Sequence, residues 1–259
     1  MDYIMSSIFD SDQFNQNLFF PRRDPSVPPP DSDEIYVEVE KSIRVHVRRY
    51  PSEKSKFSLL YFHGNGEIAA DYDNIVPYFS ALSAEFIVAD YRGYGKSEGF
   101  PTLRKVLDDA HIICRSLKSQ KKLKDRICVM GRSLGSASAI ELSRKYKDIS
   151  CCVIESGYAD PIPLVERRGL KIDQTTPEED AIFNNSKKIS GVICPLLIMH
   201  GEDDFLISPK EAQLNFEQAG SEQKELVILE GVGHNDIMMA PNNAYFMTLK
   251  KFFESTVVR

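Results

Sequence analysis

Positive charge is in short supply in this 259-residue sequence: 32 lysines and arginines face 38 aspartates and glutamates, a formal net charge of -6. That balance argues against a general affinity for nucleic acid or for an anionic membrane. Long apolar runs are missing too, since no stretch approaches the ~18 consecutive apolar residues that a membrane-spanning helix needs. The opening MDYIMSSIFDSDQFNQNLFF puts acids and polar residues where a secretory signal would have its apolar stretch. The five cysteines, Cys114, Cys128, Cys151, Cys152 and Cys194, sit mostly inside apolar runs and include no CxxC spacing. They read as small buried hydrophobes in a reducing compartment. These absences lead to the expectation of a soluble, cytoplasmic protein with no metal, no cofactor, no nucleic-acid partner and no stable membrane anchor. They leave the oligomeric state open.

With 42% hydrophobic residues the chain is long enough for one large core. Residues 1–33 end in PRRDPSVPPPDSD, whose prolines favour extended backbone and withhold hydrogen-bond donors from a sheet. This stretch reads as a Pro-rich N-terminal arm, either free or, through its NLFFP patch, docked near the mouth of a site. The globular domain spans 34–259, with no internal repeats.

EIYVEVE and IRVHVRRY alternate apolar and polar residues, as suits two antiparallel strands with one wet face. FSLLYF, EFIVAD, RICVMG, CCVIES, VICPLLIMH and ELVILE follow, apolar on both faces and separated by helix-length segments such as 102–118, 134–147, 209–218 and 241–256. Strands buried on both faces and alternating with helices imply an α/β fold with a mostly parallel, doubly wound sheet of eight strands.

Ligands bind such sheets beyond the carboxyl ends of the strands. One of those ends carries Gly131-Arg132-Ser133-Leu134-Gly135, followed by small residues at 136, 137 and 139. A serine between two glycines at a strand-to-helix turn is the nucleophile elbow: strained backbone lifts Oγ above the sheet, and the flanking residues must be small because helix and strand pass close together. A serine hydroxyl needs a base, and the base needs a carboxylate to fix its tautomer. Ser133, Asp204 and His234 occur in the order this elbow requires, each directly after a strand. Asp203 and Glu155 are alternative positions for the acid.

The motifs FHGNGE at 62–67, DYRGYGKSEG at 90–99, GRSLGSA at 131–137, MHGEDD at 199–204 and GVGHND at 231–236 resemble those of the α/β-hydrolase superfamily, and within it a small single-domain branch that includes the abhydrolase-domain protein depalmitoylases. The resemblance spans about 18–256 and implies the α/β-hydrolase fold, the triad Ser133, Asp204 and His234, and an oxyanion hole. Its donors are expected to be the backbone N–H groups of Leu134 and Asn65, with Gly66 the substitute for Asn65 if the loop is shifted by one. The chain departs from the depalmitoylases in having no N-terminal cysteine cluster to carry a lipid anchor. The insert at about 157–192, with room for one or two helices, is short for a lid and implies a fairly open site, with Ile162, Leu164 and Leu170 available to touch an acyl chain.

His63 and His200 are expected to satisfy buried backbone, Asp90, Arg92 and Arg132 to brace the loops, and Asn235 and Asp236 to orient the His234 loop. Tyr91 and Tyr94 either line the pocket or pack. The reading is a serine hydrolase that cleaves an ester or thioester through an acyl-enzyme on Ser133, acting on small esters or on acylated peptides or proteins. The alternative is a non-catalytic scaffold of the same fold. Hydrolases that use an aspartate at the elbow, such as dehalogenases, are disfavoured by Ser133.

Overall fold

A computed structural model describes residues 7–258. Eight strands, β1 (Asp33–Glu40), β2 (Ile43–Tyr50), β3 (Phe57–Phe62), β4 (Ala84–Ala89), β5 (Ile127–Arg132), β6 (Ile149–Glu155), β7 (Leu196–Gly201) and β8 (Lys224–Leu229), form one sheet in the order β1-β2-β4-β3-β5-β6-β7-β8. The alternating strands β1 and β2 pair antiparallel at one edge, and β2 runs antiparallel to β4. All later pairings are parallel, which is why β3 through β7 are apolar on both faces.

Nine α-helices accompany the strands among the described residues: α1 (Asp12–Leu18), α2 (Val76–Ala81), α3 (Leu103–Ser119), α4 (Ser136–Lys145), α5 (Ile162–Glu166), α6 (Pro177–Phe183), α7 (Asn185–Lys188), α8 (Pro209–Gln218) and α9 (Ala244–Thr256). The pleat splits the core into two layers. Leu60 and Phe62 of β3 face a cluster with Leu103, Val106, Ala137 and Ala212 of α3, α4 and α8. Leu59 and Tyr61 face another with Phe79, Tyr245, Leu249 and Phe253 of α2 and α9.

Three local outcomes differ from the sequence pattern. The apolar run from Val192 begins its strand only at Leu196, beyond Pro195, which cannot donate to the ladder. β8 is the last strand, and Ile228 is exposed there although its sequence resembles that of a buried strand. The insert at 157–192 makes three short helices where one or two were expected.

The N-terminal arm is extended only in part. Residues 1–6 lie outside the described residues. Ser11 caps α1 by accepting a hydrogen bond from the Phe14 N–H at 3.2 Å. Phe9, Phe14, Leu18 and Phe19 are then buried against the domain, with the Phe9 ring 4.4 Å from that of Phe183 in the insert. Asn15 locks the arm to α3 by accepting from the Leu103 N–H at 2.9 Å.

Candidate active site

β5 ends at Arg132, and Ser133 follows with φ +50°, in the left-handed region that a side chain occupies at a cost of order 1–3 kcal/mol. The two glycines are there for close approach rather than for their own dihedrals. A Cβ at Gly131 would collide with the Gly135 carbonyl, and one at Gly135 would collide with the Phe62 carbonyl of β3. Gly135→Ala should therefore lower the melting temperature by several degrees, overpacking being worth about 1–3 kcal/mol or more against backbone that cannot yield. Gly169→Ala, at φ +88° with nothing within 4 Å, meets only backbone strain. A calorimetric scan in which both variants melted alike would remove the packing argument.

The turn delivers Ser133 Oγ to 3.0 Å from His234 Nε2, and His234 Nδ1 lies 2.7 Å from Asp204 Oδ2. Since an ionised carboxylate only accepts, Nδ1 carries the proton and Nε2 is left free to accept from the serine. Asp204 follows β7, and its Oδ1 accepts from the N–H groups of Leu206 and Ile207 at 2.9 and 2.8 Å. Burial pushes the Asp204 carboxyl upward, but hydrogen bonds from His200, His234 and the Ile207 N–H outweigh it and hold the carboxyl well below the usual carboxylate range.

The alternative acids are placed elsewhere. Asp203 is exposed. Glu155 is fully buried, accepts from Tyr245 Oη at 2.7 Å and faces Arg132 at 3.3 Å. Burial raises its pKa, the neighbouring guanidinium offsetting only part of the effect.

Arg132 ties the elbow to the histidine loop. It pairs with Glu67 at 2.7 Å and donates to the His234 carbonyl at 2.9 Å. Asp236 Oδ1 accepts from the Gly233 N–H at 2.7 Å, closing the same loop from its other side. Below the 63–66 loop, Asp90 sits between His46 Nδ1 at 2.6 Å and His63 Nε2 at 3.3 Å. Arg92 instead braces α3 through Asp109. Tyr91 and Tyr94 are buried and do not line the pocket; their hydroxyls donate to the His63 carbonyl and to Asn65 Oδ1.

Asn65 and Leu134 share a pocket with Ser133. The Asn65 side chain is tied to the arm, Nδ2 donating one hydrogen to the Leu18 carbonyl and Oδ1 accepting from the Phe20 N–H and from Tyr94. Its backbone N–H has no acceptor among the described residues and is open to a ligand. Leu134 lies in the first turn of a three-residue 3-10 segment, where an N–H has no intrahelical acceptor.

The cavity is about 80 Å³, with apolar walls from Leu18, Leu134, Leu164, Leu206 and Ile207 and two arginines, Arg167 and Arg168, at its side. Leu18 of the arm supplies one of its walls, beside those from the insert and the 204–207 turn. Of the three insert residues expected to be available to an acyl chain, Leu164 lines the cavity, while Leu170 is buried in the core and Ile162 packs against it. Leu18 belongs to the NLFFP patch that the sequence offered as docking near a site mouth; sequence reasoning missed Arg167 and Arg168, and missed that His200 Nε2 comes within 3.0 Å of Asp204 while also bonding the Ile207 carbonyl at 2.8 Å.

Among the described residues no cluster of three or more His, Cys, Asp or Glu could hold a metal ion, and no helix is long and apolar enough to cross a membrane.

The family model described as serine aminopeptidase, S33 (Hydrolase_4), matches residues 53–172 and 163–239, more than half of the chain. Protein bem46 of Schizosaccharomyces pombe is 31% identical over 211 residues, covering 78% of this chain and 68% of that protein. Alpha/beta hydrolase domain-containing protein 17B of Homo sapiens is 28% identical over 212 residues, covering 80% and 69%. Among solved structures, the esterase Pf2001 of Pyrococcus furiosus superposes with a TM-score of 0.74 at 21% identity, over 92% of this chain and 99% of that one. Est1E of Butyrivibrio proteoclasticus, solved with ferulic acid, does so with a TM-score of 0.70 at 18% identity, over 87% and 100%. An eight-stranded, mostly parallel sheet with its glycine-flanked serine turn, matched by that family model and by these relatives, places the chain in the Hydrolase_4 family of α/β-hydrolases.

Proposed function

We propose that the protein is a serine esterase or thioesterase in which Ser133 is the nucleophile, His234 the general base and then acid, and Asp204 the group that orients His234. The observation that carries this reading is the unbroken hydrogen-bonded line Ser133 Oγ, His234 Nε2, His234 Nδ1, Asp204 Oδ2 at 3.0 and 2.7 Å. Ser133 Oγ attacks the carbonyl carbon while its proton passes to His234 Nε2. Negative charge gathers on the carbonyl oxygen, where the Asn65 and Leu134 N–H groups receive it. His234 then protonates the departing alcohol or thiol, and a water activated by the same nitrogen releases the acid from Ser133.

The substrate class follows from the cavity. About 80 Å³ bounded by leucine and isoleucine side chains suits a short acyl group, roughly 10–15 Å³ on the same measure being enough for one water. Small acyl esters and thioesters, free or on a peptide, fit this description. That Pf2001 is an esterase on the same fold agrees with an ester substrate. The test is a panel of 4-nitrophenyl esters and acyl thioesters graded by chain length, run beside a fluorophosphonate probe of the nucleophile. Turnover of the short members together with covalent labelling is expected; absence of both would overturn the assignment.

Leu18 gives a second, more local test. Truncating it to alanine removes one wall of the cavity, and each methylene gained in such a pocket is worth about 1–3 kcal/mol. In Leu18→Ala the ratio of hexanoate to acetate turnover should therefore rise roughly tenfold or more. A chain-length profile identical to that of the wild type would remove Leu18 from the acyl pocket.

A further inference from the structure

We propose that Arg167 and Arg168 make this site select esters or thioesters that carry a second, anionic group, a carboxylate or a phosphate, close to the scissile bond. The inference rests on the hydrolytic reading above and narrows its substrate class.

Arg167 and Arg168, both exposed, line the same cavity as Ser133. Among the described residues neither is paired with a carboxylate. Arg48, Arg49, Arg92, Arg104 and Arg132 each face one; Arg23 and Arg115 bond only carbonyls or a tyrosine hydroxyl, but neither lines this cavity. In a chain with a net charge of -6, two adjacent cations without acidic partners beside a nucleophile stand out as an electrostatic feature. Arg168 is exposed, yet partial burial of its side chain pulls its pKa down, with Tyr94 acting in the opposite direction and no carboxylate paired with it among the described residues. An anion arriving with the substrate would supply the missing partner.

Both arginines are also held in place. Arg167 Nη1 donates to the Leu206 carbonyl, next to Asp204. Arg168 Nη1 donates to the Asn17 carbonyl and, at 3.3 Å, to that of Leu18, while its guanidinium lies 4.3 Å from the centre of the Phe20 ring. A guanidinium carries five N–H donors in a fixed fork. These contacts use one nitrogen of each for carbonyls and leave the rest of the fork to meet a planar or tetrahedral anion, the geometry at which arginine binds bidentately. A purely structural pair, tying the insert to the arm and to the acid loop, would show the same carbonyl bonds but no dependence on substrate charge.

The experiment measures kcat/KM for two matched pairs, each corrected for its enzyme-free rate. Mono-4-nitrophenyl glutarate against 4-nitrophenyl pentanoate puts the charge on the acyl side. 4-Acetoxybenzoate against its methyl ester puts it on the leaving group. In at least one pair the anionic member should be preferred about tenfold at low ionic strength, the scale of one charge-assisted hydrogen bond at a partly exposed site. The preference should shrink when about 0.5 M salt is added to the wild type, and the ratio should fall toward one in Arg167→Gln and recover in part in Arg167→Lys. Arg168→Gln is expected to behave alike; because it also loosens the arm, the salt titration of the unaltered protein carries the test independently. Which pair responds tells the acyl side from the leaving-group side. A ratio near one in both pairs, with neutral esters turned over and Ser133 labelled, overturns the anion assignment and leaves ester hydrolysis standing. A preference that survives both salt and Arg167→Gln also overturns it. Neither turnover nor labelling in any arm would bring down the hydrolytic reading, and this inference with it.

Discussion

Ser133→Ala should abolish fluorophosphonate labelling and lower ester turnover by on the order of 10⁶, because the members of a nucleophile–base–acid unit act together and the loss of the attacking atom removes the acyl-enzyme route altogether. What remains should be a slow hydrolysis helped only by binding and by the oxyanion donors, of order 10³–10⁴ above water. The fold should survive. Ser133 Oγ has one polar partner, His234, and alanine keeps the backbone that the elbow strains, so relief of a buried hydroxyl roughly balances the lost hydrogen bond. The measurement is intact-protein mass spectrometry after probe treatment, with a thermal melt as the control for folding. An adduct that persists at another serine, with activity retained, would transfer the nucleophile there.

Much of this arrangement is legible in the linear sequence because it depends on chemistry with few substitutes. Only glycine allows β5, α4 and β3 to approach as closely as they do at 131 and 135, so the glycines disclose the packing before any coordinates do. The acid is legible because it must stand at a strand end and β7, buried on both faces, reveals where it stops; the histidine is legible from the apolar run of β8, although that strand lies at the sheet edge. The acid shows the limit of that reasoning. Asp203 and Asp204 are neighbours in sequence, and only the backbone turn that aims the Leu206 and Ile207 N–H groups at Asp204 separates them.

The arm was legible only as two alternatives, free or docked through NLFFP, for a different reason. Its prolines speak for extended chain over 21–32, but the docking of Phe9, Phe14, Leu18 and Phe19 depends on partners far along the chain. Asn65 holds Leu18 and Phe20, Asn15 holds Leu103, and Ser7 donates to Glu179 across 172 positions at 2.6 Å. No local periodicity encodes such contacts. The same holds for Arg167 and Arg168, which by sequence alone are two polar residues in a short insert and acquire meaning only when the arm closes against them. Likewise His200 reads as a strand-end histidine bonded to backbone, and it is one; its approach to Asp204 is set by the turn that follows the strand.

Asp204→Asn should leave the fold intact and lower turnover by about 10⁴, equivalent to roughly 5.5 kcal/mol of transition-state stabilisation. The carboxylate has two faces to satisfy, and every contact on both is a donor: the Leu206 and Ile207 N–H groups on Oδ1, His234 Nδ1–H and His200 on Oδ2. An asparagine can present its oxygen to only one of them. With the oxygen toward the loop, its NH₂ meets His234 and forces the imidazole into the tautomer protonated on Nε2, which cannot accept the serine proton. With the oxygen toward His234, the NH₂ meets the Leu206 and Ile207 N–H groups, and a donor-against-donor contact pushes the loop, and the pocket walls it carries, out of place. Either way the imidazolium formed during attack loses its counter-charge. Asp203→Asn meets none of these constraints, since Asp203 is exposed, and should change turnover by no more than a few-fold. Steady-state kinetics on the two variants, with circular dichroism to confirm folding, separates them, and a large loss in Asp203→Asn with little in Asp204→Asn would move the acid one residue upstream.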